Sequence, residues 1–167
     1  AAFPGIEFEV LGVPKDLASA RDLAARNKYQ FQWWACARVN AQPYQGKKKG
    51  ADSGIDGLIY FQDEAGPAKK IIVSVKGGDH VNVSMIRDLG HVVEREKAAI
   101  GLFVTLTPPT KPMQTEALSA GYYQSPHFGP FPKLQILTIE GVLSGAERAR
   151  YPDLSQGGLT FKKAERE

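Results

Sequence analysis

The chain has 167 residues, 43% of them apolar, and a formal net charge of +3, which suits one domain with a sizeable core and leaves two cramped. Its single cysteine, Cys36, excludes an internal disulfide and any multi-cysteine zinc site and reads as a small core residue. No apolar run reaches the length of a membrane span and no basic region precedes an apolar one at the N-terminus, so a soluble intracellular protein is the default expectation.

Ile6, Phe8, Val10 and Leu11, interleaved with Glu7 and Glu9, predict a short strand or an arm. Pro14 and a capping Asp16 open a helix with Leu17, Ala20, Leu23 and Ala24 at helical spacing, and Asn27 caps the next. From Lys28 to Val39 the stripe Tyr29, Trp33 and Cys36, widened by Phe31, Trp34, Ala35 and Val39, predicts a heavily buried helix. Gln30 and Gln32 are its polar positions, solvated or bonded to backbone unless they lie near a site. Gln42 to Ser53 has no periodicity and reads as a loop carrying the basic run Lys47-Lys48-Lys49.

Gly54 to Phe61 and Lys70 to Lys76 are β-rich runs flanking Asp63-Glu64-Ala65-Gly66-Pro67, which has the chemistry of a hairpin turn. A loop centred on Ala65 sets Asp56 opposite Ser74 and diagonal to Lys76. Alternation then puts these three on one face, with the diagonal pair roughly 7–8 Å apart. A carboxylate and an ammonium at a hairpin's open end suit a divalent cation on Asp56 and a phosphate or water before Lys76. An exposed hairpin with two charged residues accounts for the same spacing.

Gly77-Gly78 breaks the strand, and Ser84 is expected to cap a helix through Ala99, with Ile86, Leu89, Val93 and Ile100 inward and Arg87, His91 and Glu94 outward. Leu102 to Leu106 is apolar without alternation, as in a strand covered on both faces, so residues 71 to 106 predict a parallel strand–helix–strand crossover. Thr110 caps a helix through Ala120, Ser125 to Pro132 reads as a proline-rich loop, Leu134 to Leu137 as a last strand, and Thr138 caps a brief helix to Ser144. A charged tail follows from Phe161. The order is α/β: a mixed sheet of four or five strands, opened by a hairpin, with helices on both faces.

Phosphate-loop, dinucleotide, nucleophile-elbow and H-E-x-x-H motifs are all missing, and His80, His91 and His127 have no metal-ligand spacing. What remains is the hairpin. Gly54-Ile55-Asp56-Gly57, Ser74-Val75-Lys76, Ile86-Arg87-Asp88-Leu89-Gly90, Gly101 to Thr105 and the helix behind Thr110 resemble the Mrr-like restriction endonucleases of the PD-(D/E)XK nuclease superfamily. The resemblance covers about residues 25 to 140 of what reads as a single domain, between an N-terminal arm and helix over residues 1–26 and a C-terminal tail from about residue 145. Gln30 to Trp34 and Gly46 to Asp52 are also similar to nuclease-like domains attached to prokaryotic adenine-specific DNA methyltransferases, although no D/N-P-P-Y motif is present.

The resemblance implies a restriction-endonuclease-like fold and a cytoplasmic, prokaryotic, metal-dependent DNA endonuclease of a restriction or restriction-modification system. Asp56 and the Val75 carbonyl would hold Mg²⁺, or Mn²⁺ in its place, to polarise a phosphodiester and activate water. Lys76 would stabilise the developing charge, and Lys47, Lys48 and Lys49 would contact the DNA backbone. The departure is Ser74, which stands where the superfamily has Glu or Asp, or Gln in Mrr-like members. A neutral hydroxyl is a weak ligand for a hard cation, so a replacement acid is expected from Asp52 or Glu94, with Gln30 and Gln32 in support. The expected partners are DNA, a second copy for a double-strand cut, and a methyltransferase domain or subunit. The alternative on the same fold is a catalytically weak DNA-binding module serving another domain or subunit.

Overall fold

The structure is a computed structural model that describes residues 14–44 and 54–152. Asp16 caps α1, Leu17–Arg26, by accepting the Ser19 amide at 2.9 Å, and Asn27 both ends that helix and caps α2, Lys28–Arg38. A two-residue strand, β1 (Gln42–Pro43), leads to the hairpin of β2 (Gly57–Phe61) and β3 (Lys69–Lys76). Then follow α3 (Val83–Arg95), β4 (Ile100–Thr105), α4 (Lys111–Ser119), β5 (Tyr122–Ser125), β6 (Gly129–Pro132), β7 (Leu134–Thr138) and α5 (Ile139–Ser144).

Five strands form one mixed sheet in the order β1-β2-β3-β4-β7, antiparallel through the hairpin and parallel from β3 onwards. The fold class is therefore as the element order predicts, with α3 as the crossover between β3 and β4. Alternation along β3 sends Ile71, Val73 and Val75 into a core beneath α1, α2 and α5, and Ile72 into a second core beneath α3 and α4. Because the central strands are covered on both sides, Ile71, Ile72 and Val73 are all fully buried, and their run shows no polar alternation.

Five expectations change. Helix α3 ends at Arg95 rather than at Ala99, and Ile100 opens β4 instead of extending the helix face. The buried stripe of α2 is Phe31, Ala35, Cys36 and Val39, while Tyr29 and Trp33 are 63% and 57% exposed. A helix with aromatic residues on several sides offers more than one stripe at helical spacing, and contact with the sheet selects among them. The cap of α3 is Asn82, whose side chain accepts the Met85 amide, and the Ser84 hydroxyl is turned onto that carboxamide. Gln42 and Pro43 belong to the sheet edge and not to a loop. Residues 125–132 are largely a hairpin, because β5 and β6 pair from Tyr122↔Pro132 to Ser125↔Gly129 with the prolines on this two-stranded ribbon. The N-terminal arm, most of the basic loop and the charged tail lie outside the described residues.

Candidate functional site

The hairpin register follows the count centred on Ala65, from Phe61↔Lys69 to Gly57↔Val73. One step further it departs. The Asp56 amide donates to the Val73 carbonyl at 2.9 Å, so Asp56 and Gly57 together face Val73, as in a β-bulge. Asp56 is thereby shifted off the expected pairing with Ser74. Its Oδ2 accepts the Val75 amide at 2.8 Å, taking the place that a β2 carbonyl would have occupied had the ladder continued. The carboxylate thus lies along the strand edge rather than standing on a face beside Lys76.

Helix α2 and β1 hold this corner in place. The Asp56 carbonyl accepts the Tyr44 amide at 2.9 Å and lies 3.6 Å from the Cys36 thiol. Gly57 permits the approach, since a Cβ there would meet Cys36 Sγ at 2.7 Å and the Gln42 carbonyl at 3.1 Å. At the other end of α2, the Phe31 ring covers Gly77, directly after Lys76.

Ser74 is 7% exposed and its hydroxyl makes no hydrogen bond to a described residue. Lys76 is half-buried, and its ammonium forms no ion pair with Asp56 or with any other described residue. Val75 directs its carbonyl to the same strand edge as its amide, hence toward Asp56. Gln30 is exposed and Gln32 half-buried on the helix that passes beneath this corner.

Glu94 is not a replacement acid. It sits near the C-terminal end of α3 and pairs with Lys133 at 2.8 Å, which holds its carboxyl below the usual range. That places it at the end of the sheet where β4 and β7 begin, whereas Lys76 closes β3 at the opposite end. Asp52 and Lys47, Lys48 and Lys49 lie outside the described residues. Mg²⁺ is held by hard oxygens, preferably carboxylates. The described residues offer it one carboxylate with an oxygen already engaged, and no group of three His, Cys, Asp or Glu side chains comes together among them. With Ser74 in place of an acid, the described residues offer fewer charged oxygens than that preference asks for.

The most elaborate polar cluster lies at the closed end of the hairpin, where the sequence shows only turn residues. Asp63 is fully buried; its Oδ2 accepts from the Tyr123 hydroxyl at 2.6 Å and the Ser125 hydroxyl at 2.7 Å, and its Oδ1 lies 2.8 Å from Lys69 Nζ. Lys69 also reaches Glu64 and the Tyr123 oxygen. Burial pushes the Asp63 carboxyl up, but the hydrogen bonds from Lys69, Tyr123 and Ser125 outweigh it and hold the group below the usual carboxylate range. Burial and the Asp63 charge together raise the Tyr123 phenol. The signal available beforehand was an acid in a turn with polar side chains two apart on a later strand, which local patterning does not connect. This cluster fastens the β5–β6 ribbon to the hairpin, away from Lys76.

The fold agrees with what the chain is similar to. A family model, NACHT-associated inactive Restriction Endonuclease 1, matches residues 27–128. The chain belongs to this family. Its matched stretch begins at the cap of α2 and includes Asp56, Ser74, Val75 and Lys76. Among solved structures, the chain is similar to the DNA modification-dependent restriction endonuclease AspBHI, with a TM-score of 0.54 at 16% identity, over 88% of this chain. The chain spans 38% of that protein's length, and the likeness establishes a shared fold. No curated protein matches. Among the described residues no helix is long and apolar enough to cross a membrane.

Proposed function

We propose that this chain is a catalytically silent restriction-endonuclease-like module that binds nucleic acid on behalf of a NACHT-type partner domain. The observation that carries the reading is Ser74: a hydroxyl occupies the buried position where nucleases of this fold have a carboxylate, and the remaining acid, Asp56, is engaged in capping the Val75 amide. The family's description as inactive supports the same conclusion. The binding role thus displaces the endonuclease role expected first.

Nucleic acid is the proposed ligand for two reasons. The related fold belongs to an endonuclease described as dependent on DNA modification, and the chain is basic, with a net charge of +3 and a pI near 9.0. Lys76 pairs with no acid among the described residues and is offered to a backbone phosphate. Lys47, Lys48 and Lys49 are proposed to add contacts that position the strand without reading sequence. A NACHT domain takes the place of the methyltransferase domain or subunit that the sequence led us to expect.

One observation favours a working enzyme: Asp56 and Lys76 are both retained, and Asp52 would be the acid to complete them. Supercoiled plasmid, methylated and unmethylated, separates the readings when incubated with wild type, Lys76→Ala and Ser74→Glu in Mg²⁺, Mn²⁺ or EDTA. The silent module leaves plasmid intact under every condition while binding it in a salt-sensitive, EDTA-insensitive way. Restoring the acid in Ser74→Glu makes the melting temperature rise with added Mg²⁺, which the wild type does not show. Metal-dependent cutting by wild type that is lost in Lys76→Ala would establish the enzyme instead.

A further inference from the structure

We infer that the outer face of α2 is a stacking platform for unpaired nucleic-acid bases, built by Tyr29 and Trp33. The inference rests on the nucleic-acid reading above and adds to it the class of strand. The two residues are one helical turn apart, which places their side chains as neighbours about 5–6 Å apart at Cβ. Both are more than half exposed. Neither ring packs on another aromatic ring of the described residues, and neither the Tyr29 hydroxyl nor the Trp33 indole N–H bonds to a described residue. More than half of each residue is thus accessible to a ligand. The aromatic positions that α2 uses for packing are different ones, Phe31 and Trp34, which contact each other at 5.9 Å between ring centres.

The surroundings favour a polyanion with flat bases over a protein surface. Helix α2 contains no acidic residue and has Lys28 at its start and Arg38 at its end. The rings are bordered by the amides of Gln30 and Gln32 and by the small Ala37, which do not form a continuous apolar patch of the kind that buries a partner. Location supports the same occupant. Cys36, which abuts the Asp56 corner, follows Tyr29 by seven residues and so lies within about 20° of it around the helix. Trp33 is one turn before Cys36, and Asp56 accepts the amide of Val75, which precedes Lys76. A strand whose phosphate meets Lys76 thus runs near the part of α2 that carries Trp33. Stacking on aromatic side chains is tolerant of sequence and requires bases that are not already paired.

Fluorescence anisotropy of labelled oligothymidylate and of a mixed-sequence duplex, with the full chain as wild type, Tyr29→Ala/Trp33→Ala and Trp33→Phe, tests this. The double variant should melt at the wild-type temperature, since both side chains are exposed. It should lose about tenfold or more in affinity for the single strand and less than about twofold for the duplex, while Trp33→Phe recovers most of the single-strand affinity. In a Trp34→Phe background the remaining indole, Trp33, should be quenched on titration with oligothymidylate. Duplex binding with single-strand affinity unchanged in the double variant would overturn the platform, leave the nucleic-acid reading standing and return this face to a protein contact. Wild type binding neither probe would overturn both.

Discussion

At the residue scale, Asp63 is the buried charge whose replacement should cost the most. It is fully buried, and its partners Tyr123 and Ser125 lie about sixty residues along the chain. Asp63→Asn keeps an acceptor for the two hydroxyls but leaves Lys69 without its buried counter-ion. We expect a loss of about 3 kcal/mol in urea unfolding, the lower end for breaking a buried pair, because Lys69 retains Glu64. The pH dependence has a definite sign. The folded carboxyl is held below its unfolded value, so the unfolded chain takes up the proton first. The stabilisation is complete above about pH 4 and is lost as pH falls through the folded value. Asp63→Asn should flatten that acid limb, and a limb of unchanged steepness would show that other carboxyls govern it. Lys69 is raised by Asp63, Glu64 and Tyr123 despite its burial, so its share is lost only at strongly alkaline pH. Asp56 shows the converse limit of reading a sequence: the loop count gave its neighbours, but a one-residue bulge turned its carboxylate from the sheet face to the Val75 amide.

At the scale of elements, α3 gives a direct test of capping. Asn82 accepts the Met85 amide, and the Ser84 hydroxyl bonds to Asn82 and satisfies no helix donor. Asn82→Ala should cost about 1 kcal/mol, and Ser84→Ala only a few tenths, in the same unfolding experiment. The reverse order would restore Ser84 as the cap that its residue type suggests. This error is instructive because Asn82 and Ser84 are both good caps two residues apart, and local chemistry does not rank them. The strands were legible for a stronger reason. Ile71 to Val73 and Leu102 to Val104 are apolar without alternation, and a sheet covered on both faces accommodates such runs. Helix α2 was legible as a helix but not in its orientation, because Tyr29–Trp33 and Phe31–Ala35 have the same spacing. The β5–β6 ribbon was hidden by Pro126, which lies in its turn, and by Pro130 and Pro132, which are tolerated on β6 because a two-stranded ribbon consists only of edges.

At the scale of the whole molecule, the two cores share one sheet. Ile71, Val73 and Val75 serve the layer of α1, α2 and α5, and Ile72 on the same strand serves α3 and α4. Neither layer can come away without baring the face of β3 and β4 that it covers, so we expect one cooperative transition rather than two. The chain contains a convenient reporter, since both tryptophans, Trp33 and Trp34, are on α2. Ile86 lies in the other layer, on α3, and is fully buried against the sheet. Ile86→Ala should cost about 2–5 kcal/mol from lost burial and the cavity left behind. If the layers are coupled, tryptophan fluorescence on α2 and far-ultraviolet circular dichroism of the whole chain shift to the same lower urea midpoint. A fluorescence midpoint that stays at the wild-type value while the dichroism midpoint falls would mean that the α2 layer holds its face of the sheet independently. The nucleic-acid platform and the Asp56 corner would then belong to a unit separable from α3 and α4.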